Sequence, residues 1–301
     1  MNLLISGGTG FIGRALTKHF SSLKHHVYIL TRKRITEEYS QYVHYVQWLI
    51  RKSANQYPLP PIDVAINLAG ASIYNSRWTE SKKKSILQSR LNATKSLINL
   101  LSQMPIKPHL LISASTVGYY GTSKTQSFTE TSSYEGSDFL ADVSYRWETE
   151  ALRAEELGIR TVLARFGLVL AQSDGLLPKM ILPYKYFIGG TIASGKQWVS
   201  WIHIEDLVRL IDFTIQHPFI NGPVNFTSPY PVTMKEFGQT IGKVTKRPHW
   251  FLFPSFILKL FLGEVSEFIT KGQKVIPKKA VTASFNFKYP SLESALKNLL
   301  N

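Results

Sequence analysis

The chain has 301 residues, 44% hydrophobic and 18% charged, a globular composition that excludes intrinsic disorder and suits one large domain with a small partner. Lys and Arg number 35 against 20 Asp and Glu, a formal charge of +15. That excess favours anionic partners such as phosphorylated cofactors, nucleic acid or acidic membrane surfaces, although a solvated basic surface accounts for most of it. Cysteine is absent, so disulfides and Cys-ligated metals are excluded and a reducing compartment, the cytoplasm, is expected.

In chain order, Leu3-Leu4-Ile5 reads as a buried strand and runs into a glycine loop. Ile12, Ala15, Leu16, His19, Phe20 and Leu23 follow with helical spacing. Strands are predicted at Val27–Leu30, Val43–Trp48 and Val64–Asn67. A long helix is predicted from Thr79 to Met104, a strand at His109–Ser113, a helix at Asp138–Leu157 closed by Gly158, and a strand at Arg160–Phe166. This alternation predicts an α/β, Rossmann-type doubly wound parallel sheet. After Gly167 the rhythm loosens, with a helix expected over Glu205–Gln216 and another after the capping box Thr233…Glu236. The expected division is 1–220 for the nucleotide-binding domain, with substrate-lobe segments from about 171, and 221–301 for a smaller carboxyl-terminal lobe. The apolar stretch Phe251–Leu262, interrupted by Pro254 and Lys259, is too short to span a bilayer. It is expected to be a core-facing helix, with an interfacial helix as the alternative.

The strongest motif is Gly7-Gly8-Thr9-Gly10-Phe11-Ile12-Gly13, between a strand and a helix. Glycines there permit a tight turn, leave room for a pyrophosphate and let the helix pack against the sheet, while free amides and the dipole at the helix start attract phosphate. About 20 residues further, where NAD binders carry an acid for the ribose 2′-hydroxyl, the chain reads Thr31-Arg32-Lys33-Arg34. Cations at that point suit a 2′-phosphate, so NADP is the expected cofactor, with a solvated basic loop as the alternative.

The glycine loop, Asn67-Leu68-Ala69-Gly70 and Ser113-Ala114-Ser115-Thr116-Val117-Gly118-Tyr119-Tyr120-Gly121 resemble the extended short-chain dehydrogenase/reductase superfamily. Arg77-Trp78-Thr79, Ser89-Arg90, Arg165-Phe166-Gly167-Leu168-Val169-Leu170 and Trp201–Leu207 resemble one atypical, epimerase-like branch of it (NAD-dependent epimerase/dehydratase type). Gly272–Pro277 resembles that branch's carboxyl-terminal domain of unknown function. The resemblance implies cofactor contacts at Thr31 and Arg32, along Leu68, Ala69 and Gly70, at Arg90, and at Arg165, Gly167 and Leu168. For Arg90 the residues alone favour a surface salt bridge.

The superfamily's chemistry uses a Tyr and a Lys four residues apart on one helix face, the Lys lowering the Tyr pKa for proton exchange with substrate. The corresponding positions here are Val143 and Trp147, while Tyr145 and Arg146 are adjacent and diverge; the usual pair is expected to be missing. Tyr120 and Lys124 have the spacing, but in a stretch that reads as a loop. Ser115 and Thr116 remain as candidate catalytic hydroxyls, with backbone hydrogen bonding equally open. His203, before Glu205 and Asp206, is expected to be a capping or structural residue, and no His–carboxylate spacing suggests a metal. The preferred reading is an NADP-dependent oxidoreductase or epimerase-like enzyme with an unknown small-molecule substrate. A non-catalytic NADP-binding sensor or assembly factor is the alternative, and specific nucleic-acid binding is not expected. Oligomeric state is left open.

Overall fold

The computed structural model of the protein describes residues 1–32, 40–49, 59–73, 77–133, 136, 138–256 and 270–300. The first half alternates strand and helix: β1 (Asn2–Ser6), α1 (Phe11–Ser22), β2 (His26–Thr31), β3 (Val43–Gln47), β4 (Val64–Asn67), α2 (Glu80–Gln103), β5 (Leu110–Thr116), β6 (Ser127–Phe128), α3 (Phe139–Leu152) and β7 (Arg160–Phe166). The second half has shorter pieces: β8 (Leu168–Leu170), α4 (Leu177–Lys185), β9 (Gly190–Ile192), β10 (Trp198–Val199), β11 (Trp201–His203), α5 (Ile204–Gln216), β12 (Gly222–Phe226), β13 (Val232–Thr233), α6 (Met234–Thr245), β14 (Phe251–Phe253), β15 (Lys274–Val275), α7 (Lys278–Thr282) and α8 (Leu292–Leu300).

Seven parallel strands form the main sheet in the order β12-β7-β5-β4-β1-β2-β3. The order reverses at β1, where the chain leaves toward β2 on one side and returns as β4 on the other. Period-two alternation sorts the apolar residues onto two faces. Leu3, Ile5, Ile29, Ile66 and Ile112 pack with Leu16 and Phe20 of α1 and Leu207 and Ile211 of α5. Leu4, Leu30, Ala65 and Leu111 pack with Leu97, Ile98 and Leu101 of α2. The predicted helix at 138–157 is α as far as Leu152, then a tight turn over Arg153–Leu157 that Gly158 closes at φ +74°.

The expected boundary at 220/221 falls just before β12, which pairs with β7 and completes the main sheet, and Ala280 and Phe285 join the α1–α5 core. The smaller lobe has its own core, with Leu177, Ile181 and Tyr184 of α4, Phe237 and Ile241 of α6, and Leu292, Leu296 and Leu299 of α8 around Trp201. Of the stretch expected as a core-facing helix, Phe251–Phe253 is instead strand β14, parallel to β9, with Phe251 and Leu252 exposed. Residues 257–262 lie outside the described residues.

Candidate cofactor-binding site

All seven strands of the sheet point the same way, so their carboxyl ends share one edge. In sheets of this order the ligand crevice falls there, at the reversal point between the loops after β1 and β4. Gly7 turns at φ +75°, and a Cβ on it would lie 2.8 Å from the Leu68 carbonyl; only glycine lets the two loops lie this close. The Leu68 amide donates to the Ser6 carbonyl at 2.9 Å and holds that approach. A Cβ on Gly13 would overlap the Gly7 carbonyl and the Gly8 backbone, so α1 can start this close to the loop only without a side chain. Gly10 caps α1 with no side-chain acceptor, and no acid stands in the first turn. The opening amides of α1 therefore keep their hydrogen-bonding capacity for an external anion. Thr9 and Gly10 are exposed, while Phe11 and Ile12 turn partly into the core.

Thr31 ends β2, nearly buried, with Arg32 exposed beside it; Lys33 and Arg34 lie outside the described residues. Leu68 and Ala69 are half-buried and Gly70 is exposed. Under Gly70 runs Arg90, whose Nη1 donates to the Ala71 and Ile86 carbonyls at 3.0 Å and whose guanidinium lies 5.0 Å from the Trp147 ring. Arg90 is thus a buried support for the loop after β4 rather than a surface salt-bridge residue. Gly167 and Leu168 sit where the chain leaves β7: the Gly167 amide donates to Phe226 and the Leu168 amide to Ser200. Gly175 brings that segment against the Phe11 ring.

Arg165 changes character. It is expected beside the cofactor, but its donors are engaged inside the protein. Nε and Nη2 reach the two Glu148 oxygens at 2.8 and 2.7 Å, and Nη1 reaches the Tyr120 hydroxyl at 2.9 Å. Both partners of the ion pair are about 95% buried, with side-chain exposures of 4% and 5%. The Arg165 guanidinium also lies 3.6 Å from the Tyr119 ring. Burial and Glu148 act oppositely on Arg165, and the carboxylate prevails, holding it protonated above its ordinary range. Burial pushes the Tyr120 hydroxyl up to about 12, so it serves as a neutral donor, to Asn225 Oδ1 at 2.7 Å.

These groups belong to a polar seam across the sheet's carboxyl edge. Ser115, Arg165 and Asn225 are register partners on β5, β7 and β12, and Ser6, Asn67 and Ser113 are partners on β1, β4 and β5. Ser6 donates to Asn67, which donates to Thr94 and Ser113, and the Trp147 indole donates to Thr94. Sequence reading singles out Ser115 and Arg165, quotes Asn67 only as part of a motif and weighs Tyr120 only for its spacing to Lys124, and misses Glu148 and Asn225. The available signal was the polar residues interrupting strands that otherwise read as apolar.

Of the candidate hydroxyls, Ser115 is buried and donates to Glu148 Oε1 at 2.6 Å. Thr116 is half-buried, accepts from the Gly118 amide and meets Ser144 Oγ at 3.3 Å. Val143 and Trp147 lie together on the buried side of α3, while Tyr145 is exposed and Arg146 pairs with Asp142. Tyr120 sits in the turn after β5 with Lys124 beyond it in irregular chain, so their spacing brings no shared helix face. His203 caps α5, accepting from the Glu205 amide at 3.0 Å.

A parallel sheet with this strand order and a glycine loop at its reversal defines a Rossmann-type protein. Residues 3–225 match the NAD dependent epimerase/dehydratase family and residues 253–299 match a domain of unknown function; the chain belongs to that epimerase/dehydratase family. It is 50% identical over 301 residues to the epimerase family protein YfhF of Bacillus subtilis, covering 100% of this chain and 98% of the relative. The human epimerase family protein SDR39U1, solved with NADPH, is 31% identical and superposes with a TM-score of 0.87 over 99% of each chain. The UDP-glucuronic acid 4-epimerase of Bacillus cereus, at 15% identity and TM-score 0.79 over 99% of this chain and 98% of that one, shares the fold. Among the described residues no helix is long and apolar enough to cross a membrane.

Proposed function

We propose that this chain is a cytoplasmic NADP(H)-binding protein of the short-chain dehydrogenase/reductase type. In this reading it is an oxidoreductase or nucleotide-sugar-epimerase-like enzyme working without the usual Tyr–Lys pair. The observation that carries the reading is the glycine loop at the sheet reversal, where a side chain on Gly7 or Gly13 would collide with backbone and α1 opens with uncapped amides. That cradle fits a diphosphate. Arg32, at the end of β2, fits a 2′-phosphate on the adenosine and is the reason for NADP over NAD. The NADPH found with the human relative supports the same choice.

When bound, the cofactor would supply or take a hydride at the carboxyl ends of β4, β5 and β7. There the chain's own residues would orient the substrate: the half-buried Thr116 hydroxyl at the end of β5 is the candidate to bind the substrate oxygen, next to Ser115, which is held by Glu148. A second reading, an NADP-binding sensor or assembly factor without turnover, is favoured by one observation. Val143 and Trp147, at the positions the superfamily gives to Tyr and Lys, are packed in the interior. Mixing the protein with NADPH and a panel of aldehydes, ketones and nucleotide-linked sugars separates the two. Cofactor oxidation by a carbonyl, or interconversion of a nucleotide-linked sugar with NADP+ and no net change in cofactor, that falls at least tenfold in Thr116→Ala supports the enzyme; nucleotide binding with neither overturns it in favour of the sensor.

A further inference from the structure

We propose that the smaller lobe carries a docking face for an anionic membrane surface, formed by the end of α4, the Phe187–Ile188 turn and strand β14. The apolar side chains there are bare. Trp250 is 71% exposed, Phe256 70%, Tyr186 69% and Leu252 64%, with Leu182 and Phe187 about half exposed. Apart from Phe256, which follows β14 in the chain, they adjoin one another, because β14 pairs with β9 in the register Phe251↔Gly190, the Trp250 indole donates to the Phe187 carbonyl at 2.9 Å, and Leu182 and Tyr186 lie one helical turn apart at the end of α4. Large exposed apolar patches mark interaction sites, since folding otherwise buries such area.

The charge around the patch selects the partner. No Asp or Glu occurs between Gly175 and His203 or between Phe237 and Phe256, whereas Lys179, Lys185, Lys246 and Arg247 do. Lys179, Leu182, Lys185 and Tyr186 are exposed at helical spacing along α4, and the Arg247 guanidinium lies 4.3 Å from the Phe187 ring. Aromatic and aliphatic side chains ringed by cations, with acids left out, match the interfacial zone of a bilayer. There Trp, Tyr and Phe enter the headgroup boundary and each Lys or Arg gains from anionic lipid. A protein partner would need shape complementarity and some carboxylate pairing on this face; a bilayer needs only the exposed apolar area and the positive rim. The crevice at the sheet edge is formed by other elements, so the docking face is separate from the cofactor reading.

Flotation of the full chain with vesicles tests this. The expected result is at least tenfold more protein floating with phosphatidylcholine vesicles containing 30% phosphatidylglycerol than with pure phosphatidylcholine, at 0.1 M NaCl. Most of it should be released at 0.5 M NaCl, where the charge term is screened. Leu252→Glu and Tyr186→Glu should each lower the bound fraction at least fivefold, and Lys185→Glu with Arg247→Glu should abolish the preference for anionic vesicles. These positions are exposed, and an unchanged thermal unfolding midpoint shows that each variant folds. Equal flotation with both vesicle types, or wild-type binding by all the variants, overturns the proposal. So does a stable dimer in sedimentation that Leu252→Glu splits, which would assign the face to a second copy of the chain.

Discussion

At the scale of single residues, the Arg165–Glu148 pair carries the most stability at stake. Two charges about 95% buried have had their hydration replaced by each other, by Tyr120 and by Ser115. Removing one partner leaves the other charged and unsolvated, which costs about 3–5 kcal/mol. Glu148→Ala is therefore expected to lower unfolding free energy by about that amount in urea titration, whereas Arg146→Ala, whose exposed pair with Asp142 is screened, is expected to cost at most about 1 kcal/mol. Equal losses would show that the seam is not the sensitive point. His203 gives a second residue-level expectation. Burial holds its ring below the ordinary His value, outweighing the opposing pull of Asp206. The folded state therefore resists protonation, while the unfolded chain takes up a proton below about pH 6.5. Stability is full above that value and falls as pH drops through it. The carboxylates of Glu205 and Asp212, held low by Lys288 and His19 despite burial, add a further loss in a lower window, below the ordinary carboxylate range. His203→Asn keeps an α5 cap but removes the His203 share of the first window, to which His25 and His249, also held below the ordinary value by burial, add; urea midpoints at pH 7.5, 6 and 5 should decline less in the variant. A parallel decline in both proteins would contradict the assignment.

At the scale of elements, α6 begins with a complete capping box. Thr233 Oγ1 accepts from the Glu236 amide, and the Glu236 carboxylate accepts from the Thr233 amide. Thr233→Ala should cost about 1 kcal/mol, read as a lower urea midpoint with unchanged slope; a midpoint within error of wild type would contradict it. This box, like α1, α2, α5 and the first six strands of the sheet in chain order, is legible in the sequence because local rules decide it: an apolar period, a cap, a run of β-branched residues. β12 is not legible. Its residues Gly222-Pro223-Val224-Asn225-Phe226 carry a glycine, a proline and a polar residue in a five-residue strand. They are tolerated because β12 is an edge strand, where a proline lacks only an outward bond, and because Glu130 accepts from the outward Asn225 amide at 3.2 Å. The two- and three-residue strands of the smaller lobe are illegible for a related reason: each exists only through a partner far away in sequence, as β15 does through β6.

At the scale of the whole molecule, the two lobes are interleaved. The same Glu130 oxygen that closes β12 also accepts from the Lys279 amide at the start of α7, and Asn225 donates to the Ile276 carbonyl. The carboxyl-terminal segment is thereby tied to the edge of the main sheet. A chain ended at 220 would leave the edge of β7 unpaired and strip Ala280 and Phe285 from the α1–α5 core. Such a fragment is expected to aggregate in size-exclusion chromatography, and a monomeric, cooperatively unfolding fragment would contradict the interleaving. The candidate site divides in the same way as the fold. The glycine loop, the loop after β4 and Arg32 are legible because a motif carries its own geometry. The engagement of Arg165 and Arg90 by interior partners is not, because Glu148 and the Ala71 carbonyl are brought to them only by tertiary packing.

The central claim is that the first turn of α1 cradles a diphosphate while Arg32 holds a further phosphate on the adenosine. Calorimetric titration of NADPH and NADH into wild type and Arg32→Glu tests it most directly. The expected result is binding of both nucleotides to wild type, NADPH at least tenfold the tighter, with that preference lost in Arg32→Glu while NADH affinity stays within about threefold, since one phosphate contact of this kind is worth about 1.5–3 kcal/mol. No heat from either nucleotide, or a preference for NADPH unchanged in Arg32→Glu, would contradict the account.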